Sequence, residues 1–385
     1  MELLKIIVRN VFRHGLRSGL TILGVAVAIL AFCILRTLVG AWYAGVDFAA
    51  ANRLVTRNKT SLIYKLPMAY ENRIRQVAGV TGVGRGIWFG GIYKDKKNFF
   101  AQFAVSGIEY LDLYPEFLLT EQEKKQFELE RNACIVGRKL ANRYGWKLGD
   151  IIPLKGTIYP GTIELTLRGI YRGTRRTVDE TAFFFRWDYL NERLEKNSPE
   201  LANKAGWFIC RVGDPDRAAE ISHSIDKLFE NSLAETLTET EKAFQLGFVG
   251  MTEAIVAAIR IISVVVIGII LIVLGNTMAM TARERTSEYA VLKTLGFGRW
   301  TIFSLIAGES VSLALVGGVI GAVASLPGVR VFQKQLENYL PVFEMDPLTP
   351  LLVILLALSV GLAAALPPAV RVMRMSIAEG LSHMG

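Results

Sequence analysis

Four long, almost uninterrupted apolar stretches, residues 20–42, 254–280, 302–327 and 348–370, limit what this sequence can fold into more than any other feature. Each is long enough to cross a hydrocarbon core about 30 Å thick at about 1.5 Å of rise per residue. One such stretch could be a buried helix of a soluble protein. Four of them, with basic residues gathered at particular ends, describe a membrane protein, and a mean hydropathy of +0.34 over 385 residues agrees. Residues 44–250, between the first two stretches, have ordinary mixed polarity and the length of a globular domain. The expected fold class is membrane α-helical, with four transmembrane helices and a large α+β extracytosolic domain.

The net charge of +9 does not indicate nucleic-acid binding, because much of the basic excess flanks the apolar stretches. Lys5, Arg9, Arg13 and Arg17 precede the first stretch, against Glu2 alone. Arg283, Arg285, Lys293 and Arg299 follow the second, and Arg371 and Arg374 follow the fourth. Segments rich in lysine and arginine stay cytosolic. The loop before the fourth stretch has only Arg330 and Lys334 beside Glu337, Glu344 and Asp346, and belongs outside. The expected order is a cytosolic amphipathic helix (1–19), a first span (20–43), an extracytosolic domain with a stalk (44–250) and a second span (251–282). A charged cytosolic helix (283–299), a third span (300–327), an outer loop (328–347), a fourth span (348–370) and a cytosolic tail (371–385) complete it. The first stretch outruns the about 7–15 apolar residues of a signal-peptide core and reads as an uncleaved anchor.

Residues 2–18 set Leu3, Ile6, Ile7, Phe12 and Leu16 among basic residues, a pattern suited to a helix lying on an anionic membrane surface. A plain polar extension is the alternative. In the outer domain, 67–77, 188–196 and 215–230 read as helices, and 164–171 and 181–187 as strands. Residues 87–93 and 99–108 flank Lys94–Asn98 in the manner of a hairpin. Leu233–Gly250 is polar but compatible with a helix, so the second span is expected to begin outside the membrane as a stalk. Gly317 with Gly321, and Gly361 with Ala365, have the four-residue spacing that lets helices approach closely, here within one chain. Cys134 and Cys210 fit either a disulfide or two small buried side chains, and the sequence leaves both open.

Enzymatic chemistry finds no support. His14, His223 and His383 fall in segments that a membrane would separate, and no zinc-binding spacing or Gly-x-Ser-x-Gly elbow occurs. The Gly-x-x-x-x-Gly-Lys-Ser/Thr phosphate loop is missing too, so any ATP-driven work needs a second chain. Inside the spans the ionisable residues are few. Arg36 is expected to snorkel toward the outer interface, Arg260 lies toward the outer end, and Glu309 is expected to pair with a basic residue such as Arg13 or Arg17. Without a polar path at mid-depth, work is expected in the outer domain.

The stretch 275–299, GNTMAMTARERTSEYAVLKTLGFGR, is the most informative. Glu284 and Glu288 are four residues apart and share a helix face, Arg285 can pair with Glu288, and Val291, Leu292 and Leu295 form an apolar edge. A charged helix with such an edge, tethered between two spans, suits docking into a groove on a cytosolic partner. A solvated loop helix is the bland alternative.

This stretch resembles the signature of FtsX-like, MacB-type ABC transporter permeases. The resemblance lies in Asn276-Thr277, Glu284-Arg285-Thr286, Glu288 and Leu295-Gly296. It extends to Arg9-Asn10, Arg13, Arg17 and Leu20–Gly24, to Glu309-Ser310, and to Pro367-Pro368-Ala369 with Ile377–Leu381. Ile135–Ala141 and Trp146–Asp150 are similar to the segment opening the family's outer-domain insertion, while Tyr289, Lys293, Thr294 and Phe297 depart from the usual residues. The resemblance implies a periplasmic core domain with a discontinuous Porter-like part (about 44–130 and 212–250) and an inserted Sabre-like part. It implies a coupling helix at 283–295, with Arg283, Glu284, Arg285, Glu288, Leu292 and Lys293 meeting a separate ABC ATPase that holds the ATP and magnesium. Lys5, Arg9, Arg13 and Arg17 would lie along the membrane lipid, and Glu309 would be the polar group within the spans. A homodimer, a periplasmic adaptor and an outer-membrane channel are the further partners it implies, and bacterial inner membrane the location. Export by mechanotransmission, regulation of a hydrolase or sensor kinase, and lipoprotein release are the functions it leaves open.

Overall fold

The computed structural model describes residues 13, 15–175, 178–336, 340 and 342–376. Lys5 and Arg9 lie outside the described residues. The chain divides into two units, one drawn from residues 1–41, 253–336 and 343–385, the other from 42–252 and 337–342.

Four helices are long and apolar enough to cross a membrane, Gly15–Phe48, Glu253–Glu284, Arg299–Leu336 and Thr349–Arg374, and they build the first unit except for residues 42–48 of the first helix. Val25, Ile29 and Cys33 of the first pack with Ile270 and Leu274 of the second, Leu313 of the third, and Val353 and Ala357 of the fourth. The glycines of the third helix make this possible. A Cβ on Gly317 would stand 2.7 Å from Val25, and one on Gly321 would stand 2.4 Å from the Ala26 carbonyl. Gly361 of the fourth helix likewise abuts Val311, and Ser310 donates to the Gly361 carbonyl at 2.7 Å. The small-residue spacings therefore serve packing within the chain, as the sequence suggests. Two boundaries differ from expectation. Residues 15–19 continue directly into the first apolar helix, and the third helix runs through Pro327 to Leu336, into the stretch read as a loop. Arg36 is anchored at 3.0 Å by Asp346 and at 3.3 Å by the Thr349 hydroxyl.

The second unit is built on strands β1 (Arg53–Asn58), β2 (Leu66–Pro67), β3 (Val80–Trp88), β4 (Gly91–Ile92), β5 (Gln102–Val105) and β6 (Phe117–Leu118). They are followed by β7 (Ala133–Gly137), β8 (Ile151–Gly156), β9 (Thr162–Gly173), β10 (Phe183–Arg186), β11 (Lys204–Ala205), β12 (Trp207–Val212) and β13 (Thr236–Thr240). Eleven of them form one mixed sheet, ordered β13-β1-β12-β3-β5-β10-β7-β9-β8-β4, with β6 beside β9. The pairs β5–β10 and β7–β9 are parallel. At the centre of the sheet, in β7 and β10, both faces are buried, which explains their apolar runs without alternation, whereas β8 and β9 alternate buried and exposed residues. In β10, Phe183 and Phe185 enter one core and Phe184 the other; in β7, Cys134 and Val136 oppose Ala133 and Ile135 in the same way. Helices Arg138–Tyr144 and Trp187–Asn197 cover the first of these cores through Leu140, Leu190 and Leu194. Helices Tyr70–Arg75 and Ala218–Leu228 close a third, around Phe208 and Phe229.

Several outer-domain expectations are corrected here. The expected hairpin is an antiparallel β3–β5 pair with a turn at Asp95–Asn98, but the connection between them also supplies β4, which pairs with β8. Leu233–Gly250 is not one helix: β13 comes first, then helix Glu241–Met251, with a break at Thr252 before the second long helix. β12 lies between β1 and β3, so a boundary at residue 212 cuts it from the strands it joins. Cys134 and Cys210 are free and buried in different cores. Burial pushes the Cys210 thiol up to about 12 and the Cys134 thiol well above its usual range, so neither is poised to oxidise.

Candidate coupling site

The second long helix ends at Glu284, and a new helix runs over Thr286–Thr294, with Arg285 at the break (φ −101°, ψ 13°). Its end is set by Leu295-Gly296. Gly296 adopts φ +86°, its N–H donates to Lys293 O at 3.1 Å, and the Phe297 N–H donates to Leu292 O at 3.1 Å. This paired closure requires a left-handed residue, which glycine supplies without a Cβ clash, and it turns the chain toward the third long helix. The expected single helix over 283–295 is therefore two pieces, and Glu284 belongs to the first.

Ion pairs hold the short helix in place. Arg17 grips Glu284 through two bonds of 2.6 and 2.7 Å, and Arg13 reaches Glu288 at 2.6 Å. The second pair is exposed on both sides and worth little by itself. Beside them the Thr21 and Thr277 hydroxyls meet at 3.0 Å. Arg285 and Glu309, 3% and 6% exposed, pair at 3.1 Å beneath the helix. Glu309 thus pairs with Arg285, which the break turns inward, in place of the expected Arg13 or Arg17, which bond Glu288 and Glu284. Arg285 also lies 3.7 Å from Glu288.

Lys293 is turned inward as well. Its ammonium donates to the carbonyls of Val372, Met373 and Met375 at 2.8, 3.2 and 2.6 Å. These are carbonyls left over where the fourth helix ends, and a cation there is doubly favoured. Burial, then the nearby Arg299 charge, lowers the Lys293 pKa below the ordinary lysine value. Tyr289 is buried, and Leu292 packs partly buried against the same cluster of Ile302, Ile306, Ala369 and Val372.

The site residues read from the sequence thus separate into two groups. Arg285, Leu292, Lys293 and Glu309 face inward, whereas Arg283, Glu284 and Glu288 stay exposed. The exposed apolar edge consists of Val291, Leu295, Phe297 and Trp300, so it includes Trp300, which sequence reasoning passed over, and omits Leu292. Its signal was an aromatic residue directly after the basic Arg299 and three residues beyond Phe297. Among the described residues no group of three or more histidine, cysteine or acidic side chains is placed to hold a metal.

Two families of known proteins match successive parts of the chain. Residues 18–228 match the MacB-like periplasmic core domain family and residues 260–377 the FtsX-like permease C-terminal family. An uncharacterized ABC transporter permease of Methanocaldococcus jannaschii is 22% identical over 83% of this chain and 81% of its own length. A macrolide export ATP-binding/permease protein MacB of Paracoccus denitrificans is 27% identical, over 39% of this chain and 21% of its own. Among solved structures, the extracellular domain of the noncanonic ABC-type transporter YknZ from Gram-positive bacteria aligns with 49% of this chain at 12% identity and a TM-score of 0.37.

Proposed function

Because the chain belongs to the FtsX-like, MacB-type family of ABC transporter permeases, we propose that it is the membrane subunit through which a separate MacB-type ATPase moves the Trp42–Thr252 domain. The work done is export of a substrate from the periplasm or outer leaflet. In this reading the chain lies in the bacterial inner membrane with both termini cytosolic, and does no chemistry of its own. ATP and magnesium belong to the partner. Two copies make the membrane assembly, and the second long helix, less buried than the other three, offers surface to lipid and to a second copy. A periplasmic adaptor and an outer-membrane channel would complete the export path.

The observation that carries the reading is the short helix Thr286–Thr294, bracketed from beneath by Arg285–Glu309 and Lys293 while Val291, Leu295, Phe297 and Trp300 remain exposed. A helix braced on one side and apolar on the other can pass force from a docked partner. Leu295→Asp and Phe297→Asp place charge on that edge and touch none of the bracing contacts. In the complex purified with its native ATPase, they should lower permease-stimulated ATP hydrolysis or complex yield while membrane insertion and thermal stability stay unchanged. Full stimulation by both variants would refute docking at this edge.

A further inference from the structure

Arg53 opens β1, just beyond the end of the first long helix at Phe48, and is 2% exposed. Its guanidinium is fully engaged. Nε donates to Glu241 at 2.7 Å, Nη2 to Glu116 at 2.5 Å and Nη1 to the Leu113 carbonyl at 3.2 Å, and its face lies 4.3 Å from the Tyr114 ring centroid. Glu241, 4% exposed, also accepts from the Ala50 N–H at 3.0 Å. It is the first residue of helix Glu241–Met251, where the helix dipole favours an anion. One buried guanidinium thus ties together the chain entering the domain, the chain leaving it and the loop at 113–116.

The two tied segments stay side by side beyond this point. Gly45 faces Gln245 so closely that a Cβ would stand 3.1 Å from its Oε1, and Trp42 donates to the Thr252 hydroxyl at 2.6 Å where the helix breaks. On the other side of Arg53, β1 and β13 pair in register, with Leu54 opposite Thr240. Any movement of helix Glu241–Met251 relative to the sheet would therefore have to pull Glu241 off Arg53. That would break a buried charge-assisted bond and take from Arg53 one of its two carboxylates, which disfavours it.

We propose that Arg53 is a positioning residue that makes helix Glu241–Met251 and the eleven-stranded sheet one rigid lever, so that force arriving along the second long helix moves the sheet and is not lost in the connection. The inference rests on the ATP-coupled reading above, yet the rigidity of the joint is measurable without nucleotide.

The test places spin labels at Leu246 and Lys96, both exposed, in the full complex with native cysteines replaced. The wild-type distance distribution should be single and narrow. The neutralised variant Arg53→Met/Glu116→Gln/Glu241→Gln avoids an unpaired buried charge, and should give a broad or split distribution while its outer domain remains folded by thermal unfolding. Phe208→Leu, a core change in the same domain, should lower stability and leave the distribution narrow, which a merely structural role for Arg53 would not predict. If the triple variant does not fold, Arg53→Lys, which keeps the charge and loses the forked geometry, is scored the same way. A narrow distribution in the neutralised or lysine variant, or equal broadening in Phe208→Leu, overturns the proposal. A second label pair, Arg283 and Lys96, reports ATP-driven movement. If that pair ignores added nucleotide in the wild type, the coupled reading fails, while the Leu246–Lys96 distribution still decides whether Arg53 is a rigid joint.

Discussion

Arg285 and Glu309 meet at 3.1 Å with both side chains buried, joining the break before the short helix to the third long helix. Two of the three guanidinium nitrogens of Arg285, Nε and Nη2, have no hydrogen-bond partner among the described residues. Nε has only the Glu288 carboxylate at 3.7 Å, and buried pairs of this kind serve position more than stability.

Arg285→Met removes the buried cation facing the Glu309 carboxylate and should destabilise the membrane unit by about 3–5 kcal/mol, whereas Arg285→Met/Glu309→Leu should recover most of that loss. Thermal unfolding of the purified protein in detergent gives both numbers. A double variant as unstable as the single would show that the pair supplies net stability.

Lys293→Met removes the donor that closes the fourth helix and should cost about 1.5 kcal/mol, the low end for bonds to a charged group, because the lysine is only partly buried. Hydrogen exchange should rise locally at residues 372–376. Unchanged exchange there would mean that solvent satisfies those carbonyls equally well.

Glycine substitutions should divide sharply by position. Gly317→Leu and Gly321→Leu collide with the first helix and should cost at least about 1–3 kcal/mol or prevent folding. Gly268→Ala and Gly275→Ala, where a Cβ meets nothing within 4 Å, should be neutral or stabilise the second helix by up to about 1 kcal/mol. Yield of monodisperse protein and unfolding temperature separate the two classes.

Topology can be read with a membrane-impermeant thiol reagent on intact cells. Cys33, Cys134 and Cys210 are all buried, so background labelling should be low. A cysteine at Lys96 should label and one at Arg283 should not. Arg283 is the proper inner probe because neighbouring Arg285 is 3% exposed and would stay silent on either side. Equal labelling at both positions would overturn the assigned orientation.

The parts of the fold that sequence conveys are those decided locally. Four apolar stretches need no partner to be recognised, and Leu295-Gly296 announces a helix end because only a left-handed residue completes it. What escaped notice depends on segments far apart. Residues 236–240, Thr-Leu-Thr-Glu-Thr, precede a good helical sequence and are held as a strand by β1 and by Asp226, which accepts from Thr236 and Thr238. Arg53 reads as an ordinary charge at the start of a strand until Glu116 and Glu241 are brought beside it. Lys293 looked like part of a docking face, since nothing in its neighbourhood announces that the fourth helix ends against it. The partner of Glu309 was misjudged for the same reason: helix periodicity continues through Arg285, and the break there is a tertiary event.

The placement of β1 has a consequence for the order in which the domain can form. This strand is the first to follow the first long helix, yet it pairs only with β12 and β13. Both are synthesised after nearly all the rest of the domain, so β1 must wait, with its backbone groups open to water, while the strands from β3 to β10 find one another. Such long-range closure is slow and leaves an unpaired edge exposed in the meantime. The last strand to arrive, β13, is followed almost at once by the second long helix, so final closure of the sheet and insertion of that helix fall at nearly the same moment in the life of the nascent chain.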